Sequence, residues 1–278
     1  MKYSIYVIGA GGTGGNFLKE FGRFLKFFYE EGTSWSLGII DGDTVEERNA
    51  ERQPFMACDA MQHKASIMAE GLVECIELPQ AHVHAYPRYL DTEEQFKSII
   101  GSDGMYGDDV LIIVGCVDNH RARQVLHQTF YNRKNCIYLD AANEFSEGEV
   151  CVGIRLGGKE VAPPRAYFFP EVLTDTGKRA SELSCGVVNV SAPQHLITNL
   201  AASQHLLSFM VNIMKNHNAE GGVLHFNAFT HFVRFDKWTP EMQAEKEARE
   251  EKAKEVKKYA KPKLRTGKKA TSTGTSAK

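Results

Sequence analysis

The chain has 278 residues, 42% of them apolar, and a formal net charge of −2. That length buries a substantial core in one large domain or two small ones, and the near balance of charge gives no pointer to nucleic acid. No run of about 18 apolar residues is present, so no segment is expected to span a membrane.

Taken in order, Tyr3 to Ile8 is a near-continuous apolar run, as a strand buried on both faces requires. Gly9-Ala-Gly-Gly-Thr-Gly14-Gly15 follows. Residues 16–29 then place Phe17, Leu18, Phe21, Phe24, Leu25 and Phe28 at helical spacing. Residues 36–40 form a second strand ending at Asp41, which completes a βαβ unit. A helix is expected over residues 59–76, capped by Asp59. A strand follows at 81–86, a helix at 92–100 and a loop at 101–108. The clearest buried strand is 109–115, followed by a helix at 120–133 and a strand at 136–140. Strand and helix alternate to this point, which predicts an α/β fold with a doubly wound, mainly parallel sheet.

Beyond residue 148 the pattern changes. Residues 149–156 read as an edge or antiparallel strand. Residues 157–185 are rich in Gly, Pro and charge, as a functional loop or crossover is. Residues 191–215 form a long helix, apolar on much of its circumference, which suits deep burial or a subunit interface. Residues 222–229 and 230–235 are a final pair of strands. From Pro240 the sequence is Glu/Lys-rich without an apolar stripe, and from Lys252 it is basic. The expected organisation is therefore a Rossmann-like domain over 1–238, with antiparallel strands added at its C-terminal side, and a charged tail over 239–278. The tail reads as solvated, with nucleic acid or a tethered partner as the other reading. Six cysteines (Cys58, Cys75, Cys116, Cys136, Cys151 and Cys185) are scattered without a Cys-x-x-Cys pair, and no apolar leader precedes the first strand. Both features fit the cytoplasm, with Cys116 and Cys136 in the core.

Gly9, Gly11, Gly12 and Gly14 fit G-x-G-x-x-G between a strand and a helix, where backbone N–H groups face an anion. Alone, this motif reads first as a nicotinamide dinucleotide site. Asp41, at the end of the second strand, suits a ribose diol in an NAD or an ATP site, and Asp43 either assists or caps the turn. The polar residues beyond discriminate. A hydride-transfer site has no need of Asn49, Arg52, Gln53 and Lys64, whereas Arg52 and Lys64 suit the charge of a triphosphate. Asp118, at the carboxyl end of a central strand, suits Mg²⁺ on those phosphates. Singly, each has a structural reading: a surface ion pair for Arg52, a solvated helix residue for Lys64, a helix cap for Asp118.

The succession Gly9-x-Gly-Gly-x-Gly14, Asp41-x-Asp43-x-Val45-Glu46-x-x-Asn49-x-x-Arg52-Gln53, Lys64 and Val117-Asp118-Asn119-x-x-x-Arg123 resembles the ThiF/MoeB/HesA superfamily of ubiquitin-activating-type adenylating enzymes. The resemblance runs from about Tyr3 to Phe235. The modest length and missing zinc cysteines also look like the ThiF-type proteins of PRTRC gene systems. It implies that Gly9, Gly11, Gly12 and Gly14 lie under the phosphates of ATP and that Asp41 binds the ribose. Asn49, Arg52 and Lys64 would contact the phosphates, with Gln53 and Asp43 in the same block, and Asp118 would hold Mg²⁺. It also implies a homodimer acting on the C-terminal carboxylate of a small ubiquitin-like β-grasp protein, with an acyl-adenylate and pyrophosphate as products. Ser184-Cys185-Gly186-Val187-Val188 matches the context of a crossover cysteine that takes over the acyl group; an inert thiol is the alternative.

Two departures stand out. The paired Cys-x-x-Cys motifs are missing, so no structural zinc is expected. The N-terminal helix that supplies an arginine in some members is also missing, which leaves Arg23 or a residue elsewhere to substitute. Two rival readings stay open: an NAD-dependent oxidoreductase, and a catalytically degenerate member that binds nucleotide or a partner.

Overall fold

The computed structural model describes residues 2–27, 34–51, 53–102, 109–175 and 194–259. Arg52 and Cys185, and the residues around Cys185, lie outside the described residues. The described chain divides into two units, Met1–Thr239 and Pro240–Lys278.

In the first unit, β1 (Tyr3–Ile8), β2 (Trp35–Ile40), β3 (Val83–Tyr86), β4 (Val110–Gly115) and β5 (Cys136–Asn143) pair in the order β3-β2-β1-β4-β5, all parallel. Because neighbouring side chains on a strand point to opposite faces, the apolar runs feed two cores. Ile5, Val7, Ile112 and Val114 face one core, with Phe17, Leu18 and Phe21 of α1 (Gly12–Phe27) and Leu72 of α2 (Lys64–Glu74). Tyr6, Ile8, Leu111 and Ile113 face the other, with Phe96 of α3 (Glu93–Ser102) and Leu126 and Phe130 of α4 (His120–Asn132).

Helix α1 begins at Gly12, four residues before the expected start, so most of the glycine motif is helical. Each of its four glycines costs about 1 kcal/mol of helix propensity. Burial of Phe17, Leu18, Phe21, Phe24 and Leu25, at roughly 1.5–3 kcal/mol each, outweighs that cost. The expected cap of α2 is not observed. The chain passes through a 3₁₀ turn at Ala57–Asp59, and Met61 takes φ +70°. Lys64 N then donates to Asp43 O at 3.0 Å, so a tertiary contact sets where α2 starts. Asp59 accepts from Met56 N instead.

The rest of the sheet is antiparallel. β6 (Glu147–Leu156) pairs with β5 on one side and with β7 (Lys159–Ala162) and β8 (Gly222–Asn227) on the other. It is therefore an interior strand, which removes the edge reading. β9 (Phe232–Lys237) pairs with β8. The segment expected to be irregular contains β7 and two single-turn helices, α5 (Arg165–Phe168) and α6 (Glu171–Thr174). Tyr167, Phe168 and Trp238 meet edge to face at 5.2–5.8 Å, which ties this segment to the end of β9. Helix α7 (Leu196–Met214) packs on α1, β5 and β6. Ala202, Leu206 and Met210 are buried along it, and Leu196, Ile197 and Leu200 are exposed near its start.

The second unit contains α8 (Pro240–Tyr259), a charged helix with Lys246–Glu250 and Arg249–Glu245 pairs one turn apart. Among the described residues no helix is long and apolar enough to cross a membrane.

Candidate active site

The sheet order reverses between β1 and β4, and crevices form at the carboxyl ends of strands at such a switch. Gly9 N donates to Ile40 O at 2.9 Å and Cys116 N to Ile8 O at 2.8 Å, so the loop after β1 is tied to both neighbouring strands. Gly9 has φ +93°, and a Cβ there would lie 2.4 Å from Cys116 O. A Cβ on Gly14 would lie 1.9 Å from Gly9 O, and one on Gly12 would lie 2.1 Å from Asn199 Nδ2. Gly9 and Gly14 are required by the packing of the loop and the adjoining strand end, and Gly12 by the packing of Asn199 of α7 against α1. Gly11 differs: its nearest neighbour would be Gln53 Nε2, at 4.0 Å. It is the glycine of the motif that leaves a cradle a methyl group would fill. The first N–H groups of α1, with no intrahelical acceptor, begin there.

Asp41 borders this cradle. Its Oδ2 accepts from Ala10 N at 2.6 Å and its Oδ1 from Asp43 N at 2.8 Å. Burial, and then the neighbouring charge of Asp43, raise its carboxyl above the ordinary range, against the pull of those N–H groups and of Lys64. Asp43 accepts from Lys64 Nζ at 3.1 Å and from the hydroxyl of Tyr89 at 2.6 Å. Lys64 is buried, with 8% of its side chain exposed against 43% for Asp43, so the reading of Lys64 as a solvated helix residue does not hold. Tyr89 was not singled out from sequence. Its ring covers Gly42, where a Cβ would meet it at 2.6 Å, and the lone glycine between two aspartates was the available signal.

Asn49 is buried, and its Oδ1 accepts from Glu46 N at 3.0 Å. Gln53 is buried beside Gly11, and its Oε1 has no partner. Asp118 is exposed two residues beyond Cys116. Asn119, not Asp118, caps α4, accepting from Ala122 N at 2.9 Å. The structure thus gathers Gly11, Gln53, Asp41, Asp43 and Lys64 beyond β1 and β2, with Asp118 at the end of β4. Among the described residues, no group of three or more His, Cys, Asp or Glu is arranged to hold a metal.

Asp140 anchors a second polar cluster that sequence reasoning did not find. It is fully buried in β5 and accepts from Arg123 Nε at 3.1 Å, from Arg165 Nε at 3.0 Å and from the Tyr138 hydroxyl. Arg165 also reaches Glu149 at 3.0 Å, and Arg123 Nη2 donates to Val117 O at 2.6 Å, bracing the turn that carries Asp118. The cysteines nearby are poor nucleophiles. Burial pushes the Cys151 thiol up to about 12 and raises Cys116 and Cys136 as well. Cys136 lies in the core as expected, whereas Cys116 is only partly buried.

Known structures share this architecture. PaaA superposes with a TM-score of 0.57 at 14% identity, over 84% of this chain and 64% of PaaA. Escherichia coli MccB in its complex with ATP gives 0.57 at 11% identity, over 84% of this chain and 63% of MccB. MccB with AMPCPP and MccA gives 0.57 at 11% identity, over 85% and 64%. The chain thus spans less than two thirds of each. Comparison by sequence with characterised proteins gives no match. The model of the ThiF family matches residues 1–250, and with that match the chain belongs to the ThiF family.

Proposed function

We propose that this chain binds ATP beyond β1 and β2 and adenylates the C-terminal carboxylate of a small ubiquitin-like β-grasp protein. The observation that carries the reading is the open cradle at Gly11, with Gln53 Nε2 4.0 Å from where a Cβ would lie and Asp41 held on the adjacent Ala10 N. Glycine there lets a phosphate approach the backbone at the N-terminus of α1. Asp41 then takes the ribose hydroxyls. Asn49, Arg52, Gln53 and Lys64 bind or orient the phosphates, and the Asp43 partner of Lys64 holds that cation in place. The acceptor carboxylate attacks the α-phosphorus. An acyl–phosphate bond forms, the α,β-phosphoanhydride breaks, and pyrophosphate leaves with its electron pair. Positioning and charge neutralisation suffice for this step.

Asp118 fits a Mg²⁺ site, because that ion takes one or two carboxylates and completes its shell with water and phosphate oxygens. When bound there it would supply charge neutralisation. In the subsequent step Cys185 would receive the acyl group as a thioester, with AMP leaving. We further propose that the protein works in the cytoplasm as a homodimer, with residues 1–238 as the adenylation domain.

ATP–pyrophosphate exchange tests the reading, with a small β-grasp protein ending in glycine as acceptor. Exchange that depends on the acceptor and falls at least about 100-fold in Arg52→Ala and Asp118→Ala is expected. Absence of exchange, or exchange unaffected by both substitutions, would overturn it.

A further inference from the structure

The turn Asp41-Gly42-Asp43 sets two carboxylates on either side of a glycine, whose wide choice of backbone angles would leave the turn loose. Tyr89, three residues beyond the end of β3 at Tyr86, restrains it in two ways. Its ring lies over Gly42: a Cβ there would meet three adjoining ring carbons at 2.6–2.7 Å, so the ring presents its face to the glycine. Its hydroxyl donates to Asp43 Oδ1 at 2.6 Å. The other oxygen of the same carboxylate, Oδ2, accepts from Lys64 Nζ at 3.1 Å. Different partners thus hold the two oxygens, which fixes the plane of the carboxylate and the direction from which Lys64 meets it. Packing does little of this, because 43% of the Asp43 side chain is exposed. Lys64, only 8% exposed, is set by that carboxylate, which takes one of its three N–H donors.

We propose that Tyr89 is a positioning residue for the phosphate-binding cation: through Asp43, its hydroxyl holds Lys64 Nζ where it meets the phosphate chain of the nucleotide. Tyr89 does not touch the nucleotide on this account. It acts through two hydrogen bonds in series, from hydroxyl to carboxylate and from ammonium to the same carboxylate. Its ring and its hydroxyl have separable roles. The ring restrains the turn that also carries Asp41, since Asp43 N donates to Asp41 Oδ1 at 2.8 Å. The hydroxyl bears on Asp43 and, through it, on Lys64. Phenylalanine at this position keeps the cover on Gly42 and loses only the hold on Asp43. The ligand chemistry is a polyphosphate oxygen, and the assignment rests on the ATP reading above.

Calorimetric titration of the full chain with ATP and Mg²⁺ tests it, beside adenosine affinity read by ligand-observed NMR. Tyr89→Phe is expected to weaken ATP about three- to tenfold, the loss of one hydrogen bond acting at one remove. Lys64→Met should weaken ATP about tenfold or more, because it removes the donor itself. The double variant should bind ATP like Lys64→Met alone, since the hydroxyl then has no cation to position. Adenosine, which has no phosphate, should bind all four proteins alike. ATP affinity unchanged in Tyr89→Phe overturns the assignment. So do losses that multiply in the double variant, which would make Tyr89 independent of Lys64, and a parallel loss of ATP and adenosine in Tyr89→Phe, which would mark the hydroxyl as structural alone. Failure of the unaltered chain to bind ATP would instead overturn the adenylation reading on which the assignment rests.

Discussion

Asp41 follows the end of β2 and Asp140 lies within β5, at the last residue paired with β4, and the surroundings of these two carboxylates differ. Asp140 has no exposed surface. Two guanidiniums and a phenol converge on it, and Glu149 balances the second arginine. Asp41 is partly exposed, has a like-charged neighbour in Asp43, and relies on two backbone N–H groups and the nearby Lys64. Four opposed charges close the first cluster, although Arg165 Nη2 is left over. The second sets one cation, Lys64, against the two carboxylates and sits beside the open glycine. A charge cluster that compensates itself fastens strands together; one left under-compensated at a strand end has capacity for a ligand.

Removing the anchor of the closed cluster should have the largest effect. Asp140→Ala leaves Arg123 and Arg165 buried and uncompensated, and should cost about 3–5 kcal/mol in denaturant unfolding. Asp41→Ala should cost no more than about 1 kcal/mol; equal losses would break the contrast. Next, Gly14→Ala must push Gly9 O aside and should destabilise by about 1–3 kcal/mol.

A smaller effect concerns pH. The Asp41 carboxyl is raised in the folded chain, so the folded state holds this proton to higher pH than the unfolded state. Its contribution is full below the unfolded carboxyl value of about 4 and is lost as pH rises through the raised value. Asp41→Asn cannot ionise. The melting temperature of this variant minus that of the unaltered chain should therefore be more positive at neutral pH than near pH 4. A difference that does not change with pH would remove the case for an under-compensated charge. Least disruptive to folding is Gly11→Ala, expected within about 0.5 kcal/mol of the unaltered chain because nothing there resists a methyl group. Its effect should appear in ligand affinity instead.

Much of the parallel half was legible in the sequence. Tyr3–Ile8 and Val110–Gly115 are buried on both faces, and a continuous apolar run states that directly. The start of α2 was not legible, because a hydrogen bond to Asp43 and a left-handed Met61 set it rather than a local cap. The site was legible where its residues fall in one block, from Asp41 to Gln53. Its neighbours reached by folding were not: Arg165 meets Asp140 across 25 residues, and Asn199 meets Asn143 across 56. A lone asparagine on the buried stripe of α7 was the available signal for the latter. Gly12 and Gly14 fit the nucleotide motif, yet their geometry is explained by packing, which a motif alone does not separate from binding.

Calorimetric titration of the whole chain with ATP–Mg²⁺ and with NAD⁺, repeated on Gly11→Ala, tests the central claim most directly. The adenylation reading predicts binding of ATP in preference to NAD⁺, and loss of most ATP affinity in a Gly11→Ala protein that melts like the unaltered chain. Preference for NAD⁺, or ATP affinity indifferent to a methyl group at Gly11, would contradict it.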